Sequence, residues 1–288
     1  MKILITGANG QLGNEMRIVL GNHHEHSALF TDIEELDLTQ SDAVSKFVAN
    51  NNIDIIVNCA AYTAVDSAED NPELCHKINV EAVRNLATAS REYGARIIHI
   101  STDYVFDGSQ NLPYNETTQT CPKSVYGRTK LEGERILLET SPDSIVIRTA
   151  WLYSPFGKNF VKTMIKLGQE KDSLKVVYDQ VGTPTYARDL ARAIVTIINS
   201  DNWVSGIYHF TNEGVTSWFD FTKAIHRIAG INSCTVMPCR TDEFPTKASR
   251  PSYSVLDKSK IKSTFSVEVP YWEESLKDCI KRLQENIY

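Results

Sequence analysis

No apolar run in this chain approaches the roughly 20 residues that a bilayer-spanning helix needs, so no membrane anchor is expected. Positive charge is not in excess. Thirty Lys and Arg against 36 Asp and Glu leave −6 at pH 7, which argues against a nucleic-acid or anionic-membrane surface. Six cysteines are present without a Cys-x-x-Cys pair, and Cys59 falls in an apolar strand-like run. Reduced thiols of a cytoplasmic protein fit this better than a disulfide framework. No signal-peptide pattern stands before the first strand, and neither an internal repeat nor a low-complexity linker interrupts the chain. What remains is ordinary globular material. At 288 residues, 42% hydrophobic and 23% charged, it can bury a sizeable core as two domains or one large α/β unit.

The first residues, Met1 to Thr6, read as a short apolar strand. Gly7-Ala8-Asn9-Gly10-Gln11-Leu12-Gly13 follows at once, then an amphipathic helix through Leu20. Residues without side chains let the backbone turn sharply after the strand and approach a pyrophosphate, which then meets the exposed N–H groups of the helix N-terminus. A second strand, Ser27 to Thr31, ends at Asp32. That acid either accepts hydrogen bonds from an adenosine ribose or is one solvated acid of the loop Asp32-Ile33-Glu34-Glu35. His23-His24-Glu25-His26 has metal-ligand residue types, but its place in a helix-to-strand loop reads as a solvated turn.

Asp37-Leu38-Thr39 leads into a helix from about Ser41 to Asn51. Asp54 to Ala61 then reads as a buried strand running into a small-residue loop that leaves room for a flat ring, or packs tightly. A long helix from about Pro72 to Tyr93 carries Asn79. The next strand delivers Ser101-Thr102-Asp103 to the carboxyl edge, where open α/β sheets bind ligands. Strands alternating with helices predict a doubly wound, Rossmann-like parallel sheet over residues 1–149. In residues 150–288 the pattern loosens into clustered aromatics and turns. A smaller, partly interleaved substrate-capping domain is expected there, with segments returning to the sheet.

Ser124-Val125-Tyr126-Gly127-Arg128-Thr129-Lys130 opens another helix, with Ser124 at its N-cap. Residues four apart share a helix face, so the Tyr126 phenol and the Lys130 ammonium come together. A nearby ammonium favours the phenolate, which lowers the phenol's pKa and makes it a usable acid or base.

Taken together, the glycine loop, Asn58-Cys59-Ala60-Ala61, Thr102 and Tyr126-x-x-x-Lys130 resemble the extended short-chain dehydrogenase/reductase superfamily. Four further stretches resemble the dTDP-4-dehydrorhamnose reductases along nearly the whole chain. They are Thr63 to Glu69, Ser101-Thr102-Asp103-Tyr104-Val105-Phe106-Asp107-Gly108, Gly206 to Thr211 with Ser217-Trp218, and Arg250-Pro251 with Ser254-Val255-Leu256-Asp257.

The resemblance implies reduction of a 4-keto nucleotide sugar, dTDP-4-dehydro-L-rhamnose, with NADH or NADPH. It makes Tyr126 the proton donor, Thr102 the hydrogen-bond partner of the keto oxygen, and Lys130 the residue that holds the nicotinamide ribose. Cofactor contacts are expected from Gly7, Gly10, Gln11, Leu12 and Gly13, from Asp32, Asp37 and Leu38, from Ala60, Ala61 and Tyr62, and from Tyr126 and Lys130. Val65, Asp66, Thr102, Asp103, Tyr126 and Trp151 would line the sugar site, the alternative for Trp151 being domain-interface packing. Asn79 either orders a relay water or marks a kink.

Some members dimerise around Mg2+ held by glutamates, and Glu15 matches one such position. Arg188 stands where another would be, and a cation there repels the metal, so no metal site is expected and a monomer is favoured over a metal-bridged homodimer. Two other readings stand beside the reductase. One is a catalytically silent dinucleotide-binding regulatory subunit, like that of methionine adenosyltransferase. The other is an epimerase or dehydratase, although Asp103-Tyr104 lacks the Asp-Glu pair that a dehydratase places after its threonine.

Overall fold

The computed structural model describes residues 1–286. Five strands and the helices between them build the first half of the chain. They are β1 (Lys2–Thr6), α1 (Gln11–Leu20), β2 (Ser27–Thr31), α2 (Ser41–Asn51) and β3 (Ile55–Asn58). A short α3 (Val65–Asp70) precedes α4 (Pro72–His76), which passes through a π-helical turn at Lys77–Glu81 into α5 (Ala82–Tyr93). β4 (Arg96–Thr102), a 3-10 turn at Asp103–Val105, α6 (Val125–Thr140) and β5 (Ile145–Thr149) complete this half. The long helix expected from Pro72 to Tyr93 is therefore there in length, but its turn around Asn79 is widened.

The remaining elements are β6 (Leu152–Tyr153), α7 (Phe160–Glu170), β7 (Ser173–Val177), β8 (Val181–Gly182), β9 (Thr185–Tyr186), α8 (Ala187–Ile198) and β10 (Gly206–His209). They continue through β11 (Thr216–Ser217), α9 (Trp218–Ala229), β12 (Thr235–Cys239), α10 (Ser259–Phe265) and α11 (Trp272–Glu285).

One six-stranded sheet, parallel throughout, runs in the order β10-β5-β4-β3-β1-β2. Because side chains alternate along a strand, each central strand feeds two cores. Ile3, Ile5, Ile98, Ile145 and Ile147 face α1 and α8, whereas Leu4, Ile56, Ile97 and Val146 face α2, α5 and α6. Apolar residues on both faces are what a parallel sheet covered on both sides demands, each buried Ile or Val contributing about 1.5–3 kcal/mol. α8 and β10 come from the second half of the chain yet join the sheet's layers. A third core, centred on Phe221, Ile225, Val161 and Trp272, gathers α7, α9, α11 and the β7–β12 pair.

The strand order reverses between β1 and β3, and it is there that a doubly wound sheet opens a crevice at its carboxyl edge. At that point Gly7 (φ +61°) lies so close to the chain after β3 that a Cβ on it would stand 2.7 Å from the Ala60 nitrogen. All six cysteines are free. Among the described residues, no helix is long and apolar enough to cross a membrane.

Candidate active site

Thr102 ends β4 and caps the turn that follows. Its Oγ1 accepts the Tyr104 N–H at 3.2 Å and donates to Asp103 Oδ1 at 3.0 Å. Ser124 caps α6 as expected, accepting the Gly127 N–H at 3.0 Å. Gly127 has to be bare, because a Cβ there would run into the Tyr104 carbonyl. That close approach presses the first turn of α6 onto the end of β4. Tyr126 therefore meets the Thr102 hydroxyl, with Tyr62 and Val65 packed against it and the Tyr104 ring edge-on at 5.5 Å. Tyr126, Thr102, Asp103 and Lys130 are all buried.

Burial pushes the Tyr126 phenol well above its ordinary range, and the Thr102 hydrogen bond pulls against it. The expected acidifying effect of Lys130 is absent here, for a geometric reason. The Lys130 Nζ is turned into the protein, donating to the Ile100 carbonyl at 2.7 Å and lying 3.2 Å from His99 Nε2. Burial brings this lysine down to about 8, against the opposing pull of Glu134 and Cys75. Burial also raises Asp103 to about 6, opposed by hydrogen bonds from Ser254 and Thr102. Asp103 Oδ2 is buried without a partner.

The glycine loop after β1 is closely packed. Gly10 N–H closes onto Gly7 O at 3.1 Å, and a Cβ on Gly13 would sit 2.5 Å from the same oxygen. The loop thus lies tight against the start of α1, whose first N–H groups have no partner within the helix. Gln11 reaches the second half of the chain, accepting from Asn159 Nδ2 at 3.0 Å. Leu12 points its side chain into the core between the sheet and α8.

Asp32 stands beside this loop, accepting the Asn9 N–H at 3.0 Å and the Ile33 N–H at 2.9 Å. Asp37 closes its own turn through the Thr39 N–H and hydroxyl, and the Thr39 N–H holds its carboxyl below the usual range. The Leu38 carbonyl accepts from Asn85 Nδ2. Ala60 lies against Gly7 at the reversal of strand order, Ala61 comes next, and Tyr62 follows with both its backbone groups bonded to Asn79. The Asn79 side chain also reaches Thr129 Oγ1 at 3.2 Å, and its carbonyl lies against Gly133 of α6. Its polar atoms are thus spent on tying the widened turn to the 60–62 loop, and the kink reading holds for it.

Other residues singled out in the sequence have partners of their own. Asp66, its side chain 43% exposed, pairs with Arg250 at 2.7 Å and accepts the Ala248 N–H. Trp151, at φ +49°, stacks on Trp218 with centroids 3.4 Å apart. Both Arg250 and Ser254 sit in the Arg-Pro…Ser-Val-Leu-Asp stretch that the resemblance picked out without assigning roles. His99, Glu134 and Arg148 were missed altogether, and Asn58 was picked out only as part of a motif and without a role, because a polar residue inside an apolar strand or helix carries no periodic signal. His23 and His26 bind Glu25 and Asn199 respectively, and no group of His, Cys, Asp and Glu among the described residues could hold a metal. Glu15 is fully buried in an ion pair with Arg282 at 2.7 Å.

A glycine-looped dinucleotide crevice beside a Thr-Tyr-Lys set at the sheet's carboxyl edge defines a reductase of the short-chain dehydrogenase type. The chain belongs to the dTDP-4-dehydrorhamnose reductase family, matching the RmlD substrate binding domain family over residues 1–285. It is 40% identical over 291 residues to dTDP-4-dehydrorhamnose reductase of Aggregatibacter actinomycetemcomitans, covering 96% of this chain and 97% of the relative. A crystal structure of the Clostridium acetobutylicum reductase superposes with a TM-score of 0.95 at 48% identity, over 99% of this chain and all of that one. The Bacillus anthracis enzyme, solved in complex with NADP, superposes with a TM-score of 0.94 at 40% identity, over 98% and 99% of the two chains.

Proposed function

We propose that this chain reduces the C4 keto group of dTDP-4-dehydro-L-rhamnose to give dTDP-L-rhamnose, using a reduced nicotinamide dinucleotide. The observation that carries the reading is the contact between Thr102 and Tyr126 at the carboxyl edge, one strand away from the Gly7–Ala60 crevice. When bound, the dinucleotide supplies the hydride. Tyr126 gives its phenolic proton to the keto oxygen, Thr102 steadies that oxygen as charge builds on it, and Lys130 reaches the nicotinamide ribose. Gly7, Gly10 and Gly13 let the backbone approach the pyrophosphate, with Asp32 at the adenosine ribose. Trp151 and Asp103 border the sugar, with residues 1–149 chiefly holding the cofactor and 150–288 the substrate.

Mg2+ has no part in this reading, because Glu15 is neutralised by Arg282 and Arg188 lies nearby, 3.8 Å from Asp278. The reading favours a monomer over a metal-bridged dimer and expects activity indifferent to chelators, and it places the enzyme in the cytoplasm as a proposal of its own.

The test is loss of reduced-nicotinamide absorbance with dTDP-4-dehydro-L-rhamnose, run beside other 4-keto nucleotide sugars. Tight dinucleotide binding without turnover of any of them would point instead to the silent regulatory subunit.

A further inference from the structure

The groups that hold Lys130 can be traced back to a backbone N–H. Ala60 donates its N–H to Asn58 Oδ1 at 3.2 Å, and Thr6 Oγ1 donates to the same oxygen at 2.7 Å. A backbone N–H only donates, so it fixes the amide with its oxygen towards Ala60 and its nitrogen towards His99. Asn58 Nδ2 donates, and His99 Nδ1, 3.0 Å away, must accept. His99 is fully buried between sheet and helix, and burial, seconded by Lys130, drives it well below the ordinary imidazole range. A neutral imidazole carries one proton, which by elimination sits on Nε2. That nitrogen lies 3.2 Å from Lys130 Nζ. An ammonium can present only hydrogens to it, whereas a neutral amine presents a lone pair. The other contact of Nζ, with the Ile100 carbonyl, suits either form.

We infer that His99 is a positioning residue that favours the neutral amine of Lys130 in the cofactor-free protein, and that dinucleotide binding draws Nζ away from His99 and takes up a proton there in the alkaline range. This rests on the dinucleotide-reductase reading and deepens it. Cofactor binding then stabilises the ammonium that acidifies Tyr126, and above about pH 8 the phenol stays reluctant until a hydride donor has arrived.

The groups around Lys130 pull in both directions. Glu134 on α6 and Cys75 on α4 favour the charged lysine. Glu134 is already neutralised by Arg148 of β5, through contacts of 2.9 and 2.6 Å. Tyr126, on the same helix, is protonated and brings no charge. His99 on β4 faces Nζ with a donor, and desolvation outweighs the two favourable groups.

Two measurements test this. The first is the His99 tautomer in the free protein, read from its ring 15N shifts and proton couplings. A protonated Nε2 with a bare Nδ1 is expected, and the opposite tautomer overturns the inference whether or not the chain binds any cofactor. The second is calorimetric titration with NADH and with NADPH, in buffers of different ionisation enthalpy. The wild type should take up most of a proton near pH 9, with affinity falling by up to about tenfold per pH unit above pH 8. His99→Asn keeps an acceptor for Asn58 but removes the Nε2 proton, so it should cut that uptake by at least about half. A purely structural His99 would lower melting temperature and leave proton uptake unchanged, which would also overturn the inference. If neither dinucleotide binds at all, it is the cofactor reading that fails.

Discussion

Trp151 lies flat on Trp218, ring centroids 3.4 Å apart and planes 10° from parallel. Its backbone sits at φ +49°, a region that costs a non-glycine residue about 1–3 kcal/mol, so the surrounding packing over-determines its pose. Gly182 closes in from β8, where a Cβ would come within 2.8 Å of the indole. Stacking of this kind adds about 0.5–1.5 kcal/mol beyond the area buried. Trp218→Leu is therefore expected to lower stability by about 1–3 kcal/mol in urea unfolding. With the Trp151 ring released, KM for the nucleotide sugar should rise while kcat changes little. An unchanged KM would restrict the pair to joining elements of the second lobe.

Tyr126→Phe removes the phenolic proton and keeps the ring that packs on Tyr62 and Val65. General acid catalysis contributes about 100- to 10,000-fold, so kcat should fall by at least about 100-fold with dinucleotide affinity unchanged. Turnover close to wild type in single-turnover assays would remove Tyr126 from the mechanism.

Arg148 grips Glu134 through two nitrogens, both residues are buried, and the Ser101 hydroxyl donates to the same carboxylate. Arg148→Met strands a buried carboxylate, and the expected loss is about 3–5 kcal/mol in urea unfolding. Adding Glu134→Gln should restore much of that loss, because the second change removes the orphaned charge. A double variant no more stable than the single one would show that the pair's worth lies in its packing.

Much of the fold was legible because parallel sheets write long apolar runs, and here the runs at 2–6, 55–58 and 145–149 became the buried middle of the sheet. The glycine loop and the Ser124 cap were legible for a local reason, since backbone geometry dictates those residues within a few positions. What could not be read was set by distance in sequence. Nothing near Lys130 announces that its amine bonds to His99 31 residues away, or that Asp66 is taken by Arg250 184 residues away. The kink at Asn79 was one of two readings offered by the resemblance, and nothing local in the sequence chose between them. The turn's sequence, Lys77 to Glu81, is ordinary helix material, and it widens because Asn79 must reach both Tyr62 and Gly133.

Asp103 gives a pH prediction with a definite sign. Its folded pKa of about 6 lies above the ordinary 3.8, so the native carboxyl holds a proton that the unfolded chain has lost. Its stabilising share is complete below about pH 4 and is lost as pH rises through 6. Asp103→Asn should therefore flatten the stability profile between about pH 4 and 7, and the gain over wild type should be larger at the high end. Urea midpoints across that range decide it. Parallel profiles for the two proteins would mean that Asp103 is not the group responsible.

The end of β2 bears on the choice of cofactor. Asp32 lies beside the glycine loop, bonded to the Asn9 N–H, and its own N–H is held by Glu35 Oε2 at 2.8 Å. A 2′-phosphate placed there would face two carboxylates, whereas a free 2′-hydroxyl can donate to Asp32. The cation nearest in sequence on the preceding helix, Arg17, is exposed and lies over the Phe30 ring at 4.2 Å, two residues before Asp32. From that position it can swing to a phosphate, and the Bacillus anthracis relative was solved with NADP. The balance of charge still favours the hydroxyl. NADH is expected to serve at least as well as NADPH, with Asp32→Ala eroding the preference and Arg17→Ala lowering kcat/KM for NADPH alone. An advantage for NADPH of about tenfold or more, worth about 1.4 kcal/mol, would take Asp32 off the ribose and put Arg17 on the phosphate.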